Sequence, residues 1–233
     1  MINNKHPNIK VLEKAVQRLG ALADEMVFIG GCATGLLITD RGAPAIRTTI
    51  DVDVLVEVSS LGGYYSLAEK LRKLGFSEDM RPEAPICRWI ANELVLDVMP
   101  TDSEILGFGN QWYSPAFHAA TRVSLPSGAP IRILPAPYFV ATKFEAFKGR
   151  GDEDYLTSRD MEDIISVFDG RVEVVDDIQQ TDRSLNTYLK EQIGVLLNNR
   201  YFLEALPGHL PPDPVSQERL ELILERMRQI VKN

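Results

Sequence analysis

TTIDVDVLVEV, residues 48–58, alternates as a β-strand does, yet it sets two aspartates into an otherwise apolar run. With a two-residue period Val52, Val54, Val56 and Val58 share one face, and Asp51, Asp53, Leu55 and Glu57 share the other. The valine face belongs to a core. On the opposite face the two carboxylates lie roughly 6.6 Å apart along the strand and point into the same space. Beside a core, like charges that close need a cation, hydrogen-bond donors or a proton. A site for a divalent cation turns the same repulsion into affinity.

A second strand repeats the anomaly. In ELVLDVMP, residues 93–100, Leu94, Leu96 and Val98 face one way, and Asp97 shares the other face with Glu93, Val95 and Met99. Three carboxylates on strands of one sheet suggest a cation cradle. Magnesium suits it, because it takes hard oxygen ligands and shares its sphere with substrate phosphates. Two such ions about 3.5–4 Å apart could be bridged by paired carboxylates in an in-line phosphoryl displacement. The Asp51/Asp53 pair is also compatible with a structural calcium site, or with an edge strand that uses charge against aggregation.

Outward from these strands the pattern is mixed α/β. Residues 8–24 carry apolar side chains at helical spacing, and MVFIGG (26–31) reads as a short strand ending in a glycine pair. Helix-compatible residues follow, then the loop RGAPAIRT and the Asp51/Asp53 strand. An amphipathic helix is predicted over 63–74, closed by Gly75, then a hairpin of ICRWIA and ELVLDVMP turning at Asn92, with further strands near 119–125 and 130–134. From Pro137 onward the texture is helical, over 137–148, 158–168, 183–198 and 215–231. The expected organisation is a sheet domain, 1–135, with a helical portion, 136–233, packed on it.

Composition narrows the function classes. The 233 residues are 45% hydrophobic, with a formal net charge of −8 that disfavours nonspecific coating of nucleic acid. A local basic patch on such a protein can still grip a tRNA or a nucleotide. Two cysteines and three scattered histidines have no zinc spacing. No run of about 18 apolar residues exists and the start lacks a signal peptide's apolar stretch, so the expectation is a cytoplasmic protein without a membrane segment.

Gly30 and Gly31 sit between a strand and helix-compatible residues, where exposed backbone N–H groups can meet phosphate oxygens; a plain tight turn is the other reading. The spacing matches neither a P-loop nor a dinucleotide fingerprint. Taken together, a strand ending in Gly-Gly, Asp-x-Asp on the next strand and a third Asp on a later one resemble the polymerase β-type nucleotidyltransferase superfamily. Arg47 and Thr48 upstream of the aspartates, and KFEAFKGRGDEDYLTSRDMEDI further on, resemble the AbiEii/AbiGii-type nucleotidyltransferase toxins. The resemblance spans about residues 26–168, and Cys32 stands where that family more usually has Ser, Thr or a small aliphatic residue.

The resemblance implies a nucleotidyltransferase-like mixed sheet flanked by helices and transfer of an NMP from an NTP to a hydroxyl. RNA, tRNA included, is the implied acceptor of a toxin–antitoxin or phage-defence toxin with an antitoxin partner. Asp51 and Asp53 would bind Mg²⁺, with Asp97 a ligand or base; Gly30 and Gly31 would hold the triphosphate, with Arg47 and Thr48 beside it. Lys143 would contact phosphate, and Asp160 or Asp163 would complete the site. The residues themselves leave choices open. Lys143 falls within an apolar helical arc, so it reaches either a structural carboxylate or the nucleotide. Asp160 is also placed to join a capping arrangement with Thr157, and Arg47 to brace Asp51 or Asp53, contact phosphate or cover its loop. A protein hydroxyl or a small molecule such as an aminoglycoside is an alternative acceptor. A nucleotide-binding regulator that turns nothing over is the alternative to an enzyme.

Overall fold

Asn92 sits at φ 55°, the left-handed conformation a two-residue hairpin turn demands, and it joins the strands Arg88–Ala91 and Leu94–Pro100 of a mixed seven-stranded sheet. The structure is a computed structural model describing residues 6–151 and 153–232. The chain divides into two compact units, Met1–Leu36 with Thr48–Pro135, and Leu37–Arg47 with Ala136–Asn233. Residues 37–47, read from sequence with the sheet domain, group with the second unit.

In the first unit α1 (Pro7–Leu19) is capped by the His6 side chain and gives way at Gly20 to a 3-10 turn. Strand β1 (Met26–Ile29) runs into α2 (Gly30–Ala33) and a further 3-10 turn. Where a longer helix would fit the sequence after the glycines, these few residues suffice. There follow β2 (Asp51–Val56), α3 (Leu61–Lys73), β3 (Ser77–Glu78), β4 (Arg88–Ala91) and β5 (Leu94–Pro100). Helix α4 (Tyr113–Ala119), which no periodicity announced, precedes β6 (Thr121–Ser124) and β7 (Pro130–Ile133).

The sheet order is β3-β4-β5-β2-β1-β7-β6. Strand β2 is central, parallel to β5 and antiparallel to β1, so the edge-strand reading of its aspartates does not hold. Val52, Val54, Leu55, Leu96 and Val98 are fully buried, so β2 is covered on both faces from Leu55 onward. Only its first turn of the pleat, at Asp51 and Asp53, stays partly open.

The second unit is helical: α5 (Ala136–Arg150), α6 (Arg159–Gly170), α7 (Val174–Gln179), α8 (Arg183–Leu197), α9 (Arg200–Ala205) and α10 (Pro214–Lys232). Ser158, Asp182 and Asn199 cap the first turns of α6, α8 and α9 with side-chain oxygens. Phe139, Ile164, Phe168, Leu189, Ile193 and Met227 are among its fully buried side chains. The 37–47 segment closes the C-terminus of α6: the N–H groups of Thr39 and Asp40 donate to the Gly170 carbonyl at 2.9 and 2.8 Å. Gly170 allows this approach, since a Cβ there would lie 2.8 Å from the Ile38 side chain. Among the described residues no helix is long and apolar enough to cross a membrane.

Candidate functional site

The register of the sheet lines up the acidic residues. Asp53 and Asp97 are partners across β2 and β5, Arg88 faces Asp97 across β4 and β5, and Ile29 faces Asp53 across β1 and β2. One row therefore reads Arg88, Asp97, Asp53, Ile29, with Asp51 on the same face as Asp53 and Gly30 next in the chain after Ile29. The three acids were expected to converge from two strands closely enough to share cations; the register sets Asp53 beside Asp97, with Asp51 on the same face.

Asp53 leans on the glycine turn. A Cβ placed on Gly30, whose φ is +71°, would lie 1.8 Å from Asp53 Oδ2, so the aspartate occupies the space a side chain would fill. This is a requirement for Gly30 that strand-and-turn reasoning did not supply. The turn is also stapled from below by Asn8, which is 1% exposed. Its Nδ2 donates to the Gly31 carbonyl at 3.3 Å, and its Oδ1 accepts from the Thr49 N–H at 3.0 Å. The Cys32 thiol donates to the Asn8 carbonyl at 3.4 Å, a packing and hydrogen-bonding role in place of a hydroxyl at that position. Thr49, not Thr48, does the local work: its hydroxyl donates to Asp51 Oδ1, while Thr48 is exposed.

Arg88 was not foreseen. Its Nε donates to Asp97 Oδ1 at 2.8 Å and its Nη2 to Asp97 Oδ2 at 2.7 Å, and the same Nη2 lies 3.4 Å from Asp51 Oδ2. The bidentate bond to Asp97 holds the guanidinium firmly protonated, its affinity for the proton raised further despite partial burial. Next to it Cys87 is pushed up to about 12, by burial first and then by the negative charges of Asp97 and Asp53, so this thiol is inert at neutral pH. The signal for Arg88 lay in the hairpin: once Asn92 is the turn, counting back along both strands sets Arg88 opposite Asp97.

A second charged cluster lies within the helical unit. Lys143, 7% exposed, places Nζ 3.0 Å from Asp160 Oδ1 and 2.6 Å from Asp163 Oδ2. Arg150 grips Asp160 through Nε and Nη2 at 2.9 and 3.0 Å, and Arg47 grips Asp163 through Nε and Nη2 at 2.9 Å each. Each carboxylate thus has one arginine fork, and the two share the lysine. Burial would raise the Asp160 pKa, but Arg150 and then Lys143 hold it below the usual carboxylate range. Of the readings open for Lys143, the carboxylate partner is present, and Arg47 spends its fork on Asp163. Ser158 caps α6 in place of Thr157, whose hydroxyl turns to Asp154. Asp163 is 1% exposed, buried between its two cationic partners Lys143 and Arg47.

Asp51 and Asp53 suit a divalent cation by donor chemistry: hard carboxylates at alternating positions of one strand face, fixed by Thr49 and by the Gly30 contact. Asp97 differs, because both its oxygens lie on Arg88. Consistent with that, no three His, Cys, Asp or Glu among the described residues are grouped to hold a metal ion.

No family model matches this chain, and no curated protein matches it. Among the solved structures similar to it, one is described as nucleotidyltransferase-like and one as a nucleotidyltransferase. One is an antigenic nucleotidyltransferase-like protein from Paracoccidioides brasiliensis, 19% identical, with 86% of this chain and 91% of that one covered at a TM-score of 0.47. Another is the antibiotic-resistance factor ANT(2'')-Ia, 13% identical, with 81% and 94% covered at 0.48. A candidate nucleotidyltransferase from H. pylori is 12% identical, with 97% and 93% covered at 0.49. Likenesses this distant do not fix a reaction, which has to be argued from the residues of this chain.

Proposed function

We propose that this protein is a polymerase β-type nucleotidyltransferase that moves a nucleoside monophosphate from an NTP to a hydroxyl acceptor and releases pyrophosphate. The observation that carries the reading is the row in which Asp53 and Asp97 stand in register, Asp51 shares the face, and Asp53 fits against Gly30. Asp51 and Asp53 would hold Mg²⁺, one ion or a pair, which when bound supplies Lewis-acid polarisation of phosphate oxygens. The Gly30–Gly31 backbone beside them would hold the triphosphate. Asp97 would take the acceptor proton or join the ligand set when Arg88 releases it. Lys143, Arg47 and Thr48 are assigned to phosphate by the family resemblance, with Asp160 and Asp163 holding Lys143 and Arg47 in position.

The same resemblance points to an AbiEii/AbiGii-type toxin of the cytoplasm, acting on a tRNA or other RNA end and restrained by an antitoxin. The second reading, an idle nucleotide binder, is favoured by one observation: Arg88 already neutralises part of the acidic row. Incubation with each α-labelled NTP, Mg²⁺ and either total RNA, total protein or an aminoglycoside separates these possibilities. Wild type is expected to label RNA, and Asp53→Ala to lower that labelling by about 10²-fold or more. Nucleotide binding without label on any acceptor would establish the idle reading instead, and label confined to the drug would establish antibiotic modification.

A further inference from the structure

Arg88 stands where the proposed site can least accommodate a fixed positive charge. Its Nη2 is shared between Asp97 Oδ2 at 2.7 Å and Asp51 Oδ2 at 3.4 Å, and the other Asp51 oxygen is taken by the Thr49 hydroxyl. A divalent cation reaching Asp51 from the open side meets the guanidinium within a few ångströms, in a partly buried setting where like charges repel strongly. The arginine can yield. Its side chain is 23% exposed against 9% for Asp97, so the guanidinium has solvent to move into while the carboxylate stays packed. Asp97 is therefore the better-anchored member of the pair.

We propose that Arg88 is a resident counter-cation that locks the acidic row in the ligand-free protein, competes with divalent cations for Asp51, and frees Asp97 only when it is displaced. This rests on the reading of Asp51 and Asp53 as cation ligands and adds a regulatory element to it. Before a cation arrives, the guanidinium offsets the repulsion among carboxylates that the strand register forces together. Cation entry replaces the single charge of the guanidinium with a divalent one and releases the third carboxylate at the same moment. Occupation of the row is thereby coupled to the availability of Asp97, and the cation concentration needed to fill the site is set higher than it would be without the Arg88 guanidinium. Arg88 acts here through Asp51 and Asp97 as a positioning residue.

Mn²⁺ binding to the full chain, followed by loss of the free-ion EPR signal at one ionic strength, tests the lock without any turnover. Arg88→Met is expected to bind Mn²⁺ about tenfold tighter than wild type, the scale of one nearby unit charge in a partly solvated site. Asp53→Asn is expected to remove the tight site in both backgrounds. Equal or weaker binding by Arg88→Met, with the Asp53-dependent site intact in wild type, overturns the lock and leaves the cation reading standing. An absence of Asp53-dependent binding in both proteins overturns the cation reading and the lock with it. If circular dichroism shows Arg88→Met unfolded, the wild-type protein decides. Its Arg88 Nε–H resonance is expected to shift and lose protection from solvent exchange on titration with Mg²⁺, and a resonance unchanged at saturation overturns the proposal.

Discussion

Gly30 shows how one missing methyl group can organise a site. Its positive φ costs an L-residue about 1–2 kcal/mol, and the space beside its α-carbon is already filled by the Asp53 carboxylate. Alanine at this position has to be strained and must also push Asp53 off the row. Gly30→Ala is therefore expected to lower stability by about 2 kcal/mol or more in urea denaturation. It is also expected to reduce Asp53-dependent Mn²⁺ binding, which Gly20→Ala, at a positive φ with open space around it, leaves intact. Equal effects of the two substitutions on Mn²⁺ would show that the Gly30–Asp53 contact is incidental. Asn8 belongs to the same scale, since a single buried amide ties the glycine turn to the strand that begins two residues after Thr49.

At the scale of elements, α5 and α6 are joined by a buried ion network whose gain comes from completeness. Two carboxylates carry two arginine forks and a shared lysine, and removing one partner from such a cluster leaves a buried charge exposed to the full desolvation penalty. The pH dependence follows from Asp160. Its folded pKa is depressed below the unfolded value near 3.8, so its contribution to stability is complete above that value and is lost as pH falls toward the folded one. Asp169 at the far end of α6 has the opposite sign: burial raises its pKa despite Arg219, so it favours folding at low pH and loses that contribution as pH rises. Asp160→Asn is expected to flatten the fall in thermal midpoint as pH drops below the ordinary carboxylate value, while Asp169→Asn leaves that fall in place. An unchanged acid slope in Asp160→Asn would mean that other carboxylates govern acid unfolding.

The molecule as a whole is not two consecutive halves. Chain leaves the sheet unit after Leu36 and returns at Thr48, and the excursion supplies the helical unit with Arg47 for Asp163, Asp40 for Arg219, and two N–H donors for Gly170. A fragment of residues 136–233 lacks all of these. It is expected to unfold non-cooperatively or to melt well below the intact chain in circular dichroism, and a cooperative transition at the intact temperature would show the 37–47 segment to be dispensable. Sequence by itself determined the alternating strands, the hairpin at Asn92, the helical texture after Pro137 and the three interrupting aspartates, because each is a local periodicity or a local backbone demand. Tertiary structure alone decided that Arg88 also reaches Asp51, that Asp53 fills the space beside Gly30, that Asn8 reaches Thr49, and that 37–47 serves α6. Those contacts join residues whose separation along the chain carries no periodic signal, so strand pairing and side-chain packing had to bring them together before their chemistry could be read.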